Sequence, residues 1–455
     1  MVELTLQQIV SACGGTFQGE TSLLSQKISH ITIDSRQVEP GCLFVPIRGE
    51  RFDGHQFIPS AYESGVACAL SERPLDTERP YILVPSTLQA FQDIAAYYKS
   101  LFSIPTIGIT GSVGKTTTKE MISSVLSQNF DVLKSQGNLN NQTGVPLNIF
   151  RLEEHHQVAV IEMGTNHFGE IRSLAKMVRP NYCFLTNIGE AHIEHLGSKD
   201  GILQAKSEML EYMPAGGTVF INGDDPYLQK LQRTRQDVVA FGLTPSCQIY
   251  GTDLVSYGLA GTDFTLHWEG EQFAFHIPAP GKHMVYNALA AIGAGLALHM
   301  DMPTIQQGVA QHTPLSGRMD IQKTEQITVL NDCYNANPGS MRASLDVLSY
   351  TAGRKVCILG DMLELGEKAQ MYHQQIGTYA AKLGIDLILC VGRLAKEIAK
   401  GAKQGGSQQV EYFATQQQLI GALPSLIQQG DTILVKASHG MALDQTVSYL
   451  LHQLN

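Results

Sequence analysis

Residues 110–118 read Thr-Gly-Ser-Val-Gly-Lys-Thr-Thr-Thr, set between the apolar stretch 106–109 and a helix-like run over 116–128. A strand, a tight turn and a helix N-terminus form a phosphate-binding element, because backbone N–H groups and the helix dipole favour an anion there. Gly111 and Gly114 let the chain turn without Cβ clashes. Lys115 can reach β- and γ-phosphate oxygens, and the Thr116 hydroxyl can ligate magnesium. A strict motif of this kind needs glycine at position 109, where isoleucine stands. The loop is therefore a variant in which only Gly111 and Gly114 are kept, and nucleotide binding is the first expectation.

A second group of reactive side chains follows downstream. The strand-like run 157–162 ends in Glu162. A carboxylate at the C-terminal end of a parallel strand lies on the edge where α/β sheets bind ligands, and beside a phosphate loop it is a natural second magnesium ligand. The next strand-like run leads into Thr186-Asn187-Ile188-Gly189-Glu190-Ala191-His192-Ile193-Glu194-His195. Two histidines three apart can share a helix face, but zinc requires more ligands than these. By residue type alone His192 reads as a structural histidine and Lys206, in a helical pattern, as a surface lysine. Arg318, in Ser-Gly-Arg-Met, could close on a phosphate from another domain. Asp332 could hold a ribose hydroxyl, while Asn335-Ala336-Asn337-Pro338 reads by spacing as an Asx-rich turn.

The elements that must position these groups are those of a parallel α/β protein. Apolar runs at 42–47, 81–84, 157–162, 182–187, 217–221, 355–360, 385–391 and 431–436 alternate with helix-like segments, the pattern of strands buried on both faces. Only 248–277 alternates apolar and polar residues, which predicts antiparallel strands. At 455 residues the length suggests about three domains. Turn residues at 80–85 and 313–316 place the boundaries, giving 1–84, 85–314 and 315–455.

Composition narrows the function classes. The chain is 43% hydrophobic and 16% charged, with 32 basic and 42 acidic residues for a net charge of −10. That balance supports folded cores and argues against a nucleic-acid or membrane surface, which wants clustered positive charge. Eight scattered cysteines, with no Cys-x-x-Cys, fit small buried hydrophobes in a reducing compartment. The N-terminal residues lack a signal-peptide pattern, and the longest apolar stretch, 288–298, is too short to span a bilayer. The expectation is a cytoplasmic protein with no membrane insertion.

Taken together, the motifs resemble the Mur ligase family, the ATP-dependent amide-forming ligases of peptidoglycan precursor synthesis. The resemblance rests on TGSVGKTTT, on IEMG at 161–164, on TNIGEAHIEHLG at 186–197 with AKSEML at 205–210, on HMVYNALAA at 283–291, and on SGRM and NDCYNANPGS. It implies an α/β fold of three domains: a small N-terminal α/β domain for a UDP-sugar peptide, a central P-loop mononucleotide-binding parallel sheet, and a C-terminal Rossmann-like α/β domain for the incoming dipeptide. The segments 33–55, 136–148 and 359–367 point to UDP-N-acetylmuramoyl-tripeptide and D-alanyl-D-alanine as partners, and the family resemblance favours a monomer. Sister enzymes adding diaminopimelate or lysine usually carry Asp-Asn-Pro-Arg, and none occurs here.

The family's roles carry over residue by residue. Gly111, Ser112, Val113, Gly114, Lys115, Thr116 and Thr117 would hold ATP phosphates. Asn287, Arg318 and Asp332 would contact the nucleotide, with Asn287 at the adenine. Thr116 and Glu162 would ligate Mg2+, with His192 at a second ion. Lys206 matches a lysine that is carbamylated in several members, a change from cation to carboxylate-like anion. Lys115, Glu162, His192 and Lys206 form the catalytic set. Ser35, Arg36, Arg48, Gly49, Asp53 and His55, with Asn138, Asn140, Asn141, Gln142 and Thr143, would face the UDP-sugar peptide. Tyr334, Asn335 and Asn337 would face substrate, and the third domain would seat the dipeptide. One departure stands out: the family's closing Val-Lys-Gly-Ser-Arg is Val435-Lys436-Ala437-Ser438-His439 here, and histidine can lose a charge that arginine keeps. The rival readings are a Mur-type relative such as a folylpolyglutamate or cyanophycin synthetase, and a P-loop switch that binds a partner. The Asn-Lys-x-Asp of guanine-specific switches is not found.

Overall fold

The computed structural model describes residues 1–49 and 52–453, and packs them into two compact units. One comprises Met1–Ile109, Phe130–Cys183 and Ser207–Gly217; the other comprises Thr110–Asn129, Phe184–Lys206 and Thr218–Asn455. The class is α/β, as the alternating apolar runs require.

In the first unit a five-stranded sheet has the order Thr16–Gln18, Tyr81–Leu83, Cys68–Ser71, Leu43–Phe44, Ile31–Thr32, and every pair but the first is parallel. The run expected at 42–47 is a strand only over Leu43–Phe44, because Pro46 has no N–H to give a ladder. A second parallel group pairs Val158–Glu162 with 106–109 on one side and Val132–Lys134 on the other. Every residue of Val158–Glu162 is buried, which is why the segment reads as a continuous apolar run that closes on one carboxylate. The helix Thr87–Ser100 starts at Ser86, whose side chain accepts from the Gln89 N–H. It buries Phe91, Ile94 and Tyr98, with the Tyr98 and Phe150 rings 5.5 Å apart.

The second unit contains two parallel-rich regions. Thr218–Asn222, Val238–Gly242 and Ile249–Ser256 run parallel. Within the segment 248–277 expected as antiparallel, Ile249–Ser256 pairs antiparallel with Thr262–Trp268 and that strand with Glu271–Ile277, so only the edge of Ile249–Ser256 facing Val238–Gly242 departs from the expectation. The helix Lys282–Ala297 is buried along most of its length and contains all but Leu298 of the 288–298 stretch read as too short for a membrane. Among the described residues no helix is long and apolar enough to cross a bilayer.

The other region is a six-stranded sheet of order Asp320–Lys323, Thr328–Asn331, Thr432–Lys436, Lys355–Gly360, Leu387–Val391, Val410–Phe413, with only its first pair antiparallel. Alternate residues along its strands enter different cores: Cys357 and Leu359 join Met341, Leu345 and Ile376, whereas Val356 and Ile358 join Leu419, Leu423 and Leu450. That period of two shows helices covering both faces of the sheet. All eight cysteines are free; seven are buried and Cys13 is half-buried.

Candidate nucleotide site

The phosphate loop is shaped by two glycines and pinned by the segment that follows the next strand. Gly111 has φ +153°, and a Cβ there would lie 1.9 Å from the Thr186 hydroxyl. Gly114 has φ +84° and caps the helix Lys115–Leu126 with no side-chain hydrogen bond, the arrangement of a helix N-terminus that receives an anion. Ile109, which replaces the glycine of the strict motif, is fully buried in its strand.

The run expected as strand to residue 187 ends at Leu185, because Thr186 and Asn187 turn to grip Val113. Asn187 accepts from the Val113 N–H at 2.9 Å and donates its amide to the Val113 carbonyl at 3.0 Å. The Thr186 hydroxyl donates to the same carbonyl at 2.6 Å. Lys115 donates to the Gly111 carbonyl at 3.0 Å, which curls its ammonium over the loop. Asn287 accepts from the Thr118 hydroxyl at 2.9 Å, so the residue assigned to adenine is seated against the loop's own helix.

Lys206 is not the surface lysine that residue type suggests. It is 1% exposed, its ammonium has no hydrogen-bond partner, and burial followed by the charge of Lys115 pushes its pKa well below the usual lysine range. The desolvated amine is therefore shifted toward the neutral form. His192 likewise departs from the expected helix face: it precedes the short helix Ile193–Leu196 with φ 61°. Its Nδ1 lies 2.7 Å from a Glu364 carboxylate oxygen without the alignment of a hydrogen bond.

In the other unit, Glu162 is 1% exposed. Its Oε1 accepts from the Asn140 side-chain amide at 2.8 Å, while its Oε2 is buried with no hydrogen bond. A carboxylate oxygen left in that state is costly unless a cation completes it. Among the described residues there is no group of three or more His, Cys, Asp or Glu able to hold a metal.

Arg318 reaches the loop. Its Nη2 donates to the Thr116 hydroxyl at 3.1 Å, and its guanidinium carbon sits 3.8 Å from the Tyr334 ring centroid. Asp332 accepts from Lys436 at 2.5 Å, from the Ser344 hydroxyl at 2.5 Å and from the Met319 N–H at 3.1 Å. Its carboxylate is committed to holding the Arg318 turn before any ribose arrives. The departing residue His439 is exposed, its ring 5.5 Å from that of Tyr334.

The substrate candidates divide into exposed groups and groups spent internally. Arg36 is exposed and makes a two-pronged pair with Asp34, which holds the Asp34 carboxyl at about 2. Ser35 is half-buried in the same turn. Exposed Arg48 pairs across a bridge with Asp53, and the Gly49 N–H donates to the Phe52 carbonyl at 3.0 Å. Glu50 and Arg51, within the 48–55 segment, lie outside the described residues.

His55 is buried, with Nδ1 2.6 Å from Asp53 and Nε2 accepting from the Glu72 N–H at 3.1 Å, so both ring nitrogens are engaged. Asn138 is exposed; Asn141 accepts from the Thr143 and Gly144 N–H groups at 3.3 and 2.8 Å; the Gln142 carbonyl accepts from Gln92 at 3.2 Å. Asn337 caps the helix Pro338–Ser349 through a box with Ser340, and Asn335 accepts from the Ala336 N–H at 2.8 Å.

Residue typing assigned no role to Asn187, Glu364 or Lys436. The first two lie in motifs quoted for the resemblance, but their partners are more than 70 residues distant in the chain.

A strand, a glycine turn ending in Gly-Lys-Thr and an uncapped helix, gripped by the next strand's exit and met by an arginine, define a P-loop nucleotide-binding α/β protein. Three family models match in order: the Mur ligase family catalytic domain over 27–99, the Mur ligase middle domain over 109–295, and the Mur ligase glutamate ligase domain over 317–439. The chain is 36% identical to the UDP-N-acetylmuramoyl-tripeptide–D-alanyl-D-alanine ligase of Bacillus subtilis (strain 168), covering 99% of each chain. It is also 36% identical to that of Escherichia coli (strain K12), again over 99% of each. Its structure matches a crystal structure of MurF from Acinetobacter baumannii with TM-score 0.91 and 32% identity over 98% of each chain. MurF from Thermotoga maritima in complex with ADP matches with TM-score 0.85 and 25% identity, over 93% of this chain and 97% of that one. The chain belongs to the Mur ligase family.

Proposed function

We propose that the protein joins D-alanyl-D-alanine to UDP-N-acetylmuramoyl-tripeptide in peptidoglycan precursor synthesis, as an ATP-dependent, ADP-forming amide ligase. The observation that carries this reading is the end-to-end identity with ligases of that name, joined to a nucleotide site built from those same motifs. The protein works as a cytoplasmic monomer. Residues 1–84 serve the UDP-sugar peptide, 85–314 the ATP chemistry and 315–455 the dipeptide.

In the first step a terminal carboxylate oxygen of the tripeptide attacks the γ-phosphorus, and the bond to the bridging oxygen breaks to release ADP and leave an acyl phosphate. Lys115 and Arg318 neutralise charge on the transferring group, while 111–117 hold the remaining phosphates. In the second step the free amine of D-alanyl-D-alanine attacks the acyl carbonyl. Phosphate leaves from the tetrahedral intermediate, the amide forms, and the amine proton is released. Acyl phosphates hydrolyse, so the site must exclude water.

The proposed magnesium residues are Thr116, Glu162, His192 and Lys206; the orphaned Glu162 Oε2 and the unpartnered Lys206 amine support this. Bound Mg2+ would supply charge neutralisation for phosphoryl transfer. The buried, deprotonation-prone Lys206 amine suits reaction with carbon dioxide: the neutral nitrogen attacks the carbon, a carbon–oxygen π bond opens, a proton leaves, and a carbamate anion results.

Phosphate release measured with ATP, UDP-N-acetylmuramoyl-tripeptide and D-alanyl-D-alanine, omitting each in turn, tests the assignment. Full turnover requires all three. Turnover that proceeds without the dipeptide or the sugar peptide would discard it in favour of another Mur-type ligase or a nucleotide switch.

A further inference from the structure

The turn that carries Arg318 is held more firmly than a surface loop requires. Gly317 has φ +74° and Met319 φ 53°, so both neighbours of the arginine sit in left-handed backbone, a strained choice for methionine. The antiparallel pairing of Asp320 with Asn331 sets the two chain ends of this hairpin side by side. Beyond that pair the Tyr334 N–H donates to the Gly317 carbonyl at 3.2 Å, and the Met319 N–H donates to Asp332 at 3.1 Å. The register therefore places an aromatic ring under the guanidinium. Arg318 lies 3.8 Å from the Tyr334 centroid, within the range of a close cation–π stack. The exposed His439 ring lies beside Tyr334 at 5.5 Å, tilted by 37°.

Arginine carries several rotatable bonds, and aiming it at one point costs side-chain entropy. A ring fixed by its own backbone hydrogen bond removes that cost in advance. It also leaves the N–H fork free to reach the loop, as the Thr116 contact shows. We propose that Tyr334 is a positioning residue for Arg318, holding the guanidinium over the phosphate loop where a terminal phosphate of ATP arrives. This reassigns Tyr334, which the family resemblance placed at substrate, and it rests on the reading of Arg318 as a phosphate-contacting group.

The test measures the affinity of fluorescent analogues of a non-hydrolysable ATP and of ADP for the full-length protein, together with steady-state kinetics. Arg318→Ala reduces the preference for triphosphate over diphosphate. Tyr334→Leu reduces it by about fivefold, and Tyr334→Phe, which keeps the ring, recovers most of that loss. In the Arg318→Ala background Tyr334→Leu adds nothing. In turnover, Tyr334→Leu lowers kcat and leaves KM for D-alanyl-D-alanine in place.

A rise in that KM with unchanged triphosphate preference, or an equal Tyr334→Leu effect with and without Arg318, overturns the proposal. The binding arm needs no ligation. If the wild-type protein binds triphosphate preferentially but makes no product from the dipeptide, the assigned reaction fails while the positioning role is still decided by the binding data.

Discussion

His192 Nδ1 lies 2.7 Å from the carboxylate of Glu364, and both residues hold left-handed backbone, at φ 61° and φ 60°. Non-glycine residues in that region cost about 1 kcal/mol or more each, and they persist where surrounding structure insists on them. Here the insistence is visible. The loop carrying Glu364 is anchored by buried His373, whose Nε2 accepts from the Met362 N–H at 2.9 Å while its Nδ1 donates to the Ala369 carbonyl at 2.7 Å. The carboxylate packed against Nδ1 limits how the His192 ring can turn, and the magnesium role proposed for His192 depends on that orientation.

Glu364→Ala is therefore expected to lower ligase turnover by roughly 10- to 100-fold. Glu364→Gly should lower it equally while leaving unfolding free energy within about 1 kcal/mol of wild type, since glycine accepts positive φ. Phosphate-release kinetics and chemical denaturation check the two halves. Loss of stability parallel to the loss of rate would show that the contact serves folding alone.

Gly111→Ala places a methyl group 1.9 Å from the Thr186 hydroxyl at φ +153°. Thr186 cannot yield without releasing the Val113 carbonyl. The variant should lose nucleotide affinity by at least about tenfold and about 1–3 kcal/mol of stability, read by titration with labelled ATP and by thermal unfolding. Unchanged affinity would mean that the loop tolerates a different path.

Lys206 makes stability depend on pH in a stated direction. Its folded pKa lies below the unfolded lysine value, so the unfolded chain binds more protons between the two, and stability rises with pH across that window. The contribution is unfavourable below the folded pKa and vanishes above the ordinary lysine range. In carbon-dioxide-free buffer, wild type should gain stability relative to Lys206→Met as pH climbs from neutrality toward 10. Parallel pH profiles for the two proteins would refute the buried, destabilised cation. Removing Lys115, the second cause of the shift, should narrow the window.

Tyr98 is fully buried, and its hydroxyl donates to the Leu152 carbonyl at 2.6 Å while accepting from the Val2 N–H at 2.7 Å. Burial pushes the phenol up to about 12. Tyr98→Phe strands both backbone groups and should cost about 2 kcal/mol in denaturant unfolding, with nucleotide affinity unchanged. A cost near zero would indicate that water reaches the two groups.

Much of this was readable in the chain. Lys115 and Thr116 are legible because a phosphate loop is local: a few consecutive residues contain the turn, the ammonium and the hydroxyl. The strand Val158–Glu162 is legible because burial on both faces leaves an unbroken apolar run. Lys206 is misread by residue type because nothing beside it in the chain predicts full burial; its solvent is removed by distant packing. Asn140 and Asn337 were expected at substrate, yet one orients Glu162 and the other caps a helix. An asparagine serves either use, and only its neighbours choose.

The sequence alone determined which chemistry is available, since side-chain type and local periodicity depend on near neighbours: an anion-binding turn, strand-end acids and parallel α/β layers. Tertiary structure decided which groups act on one another. Arg318 meets Thr116 across a separation of 202 residues, Asn287 meets Thr118 across 169, and Lys436 meets Asp332 across 104. Such pairs arise only when strand register and helix packing close long loops. The physical reason is that a hydrogen bond acts over about 3 Å, while the sequence orders residues along a chain whose folded path it specifies only through the whole of its packing.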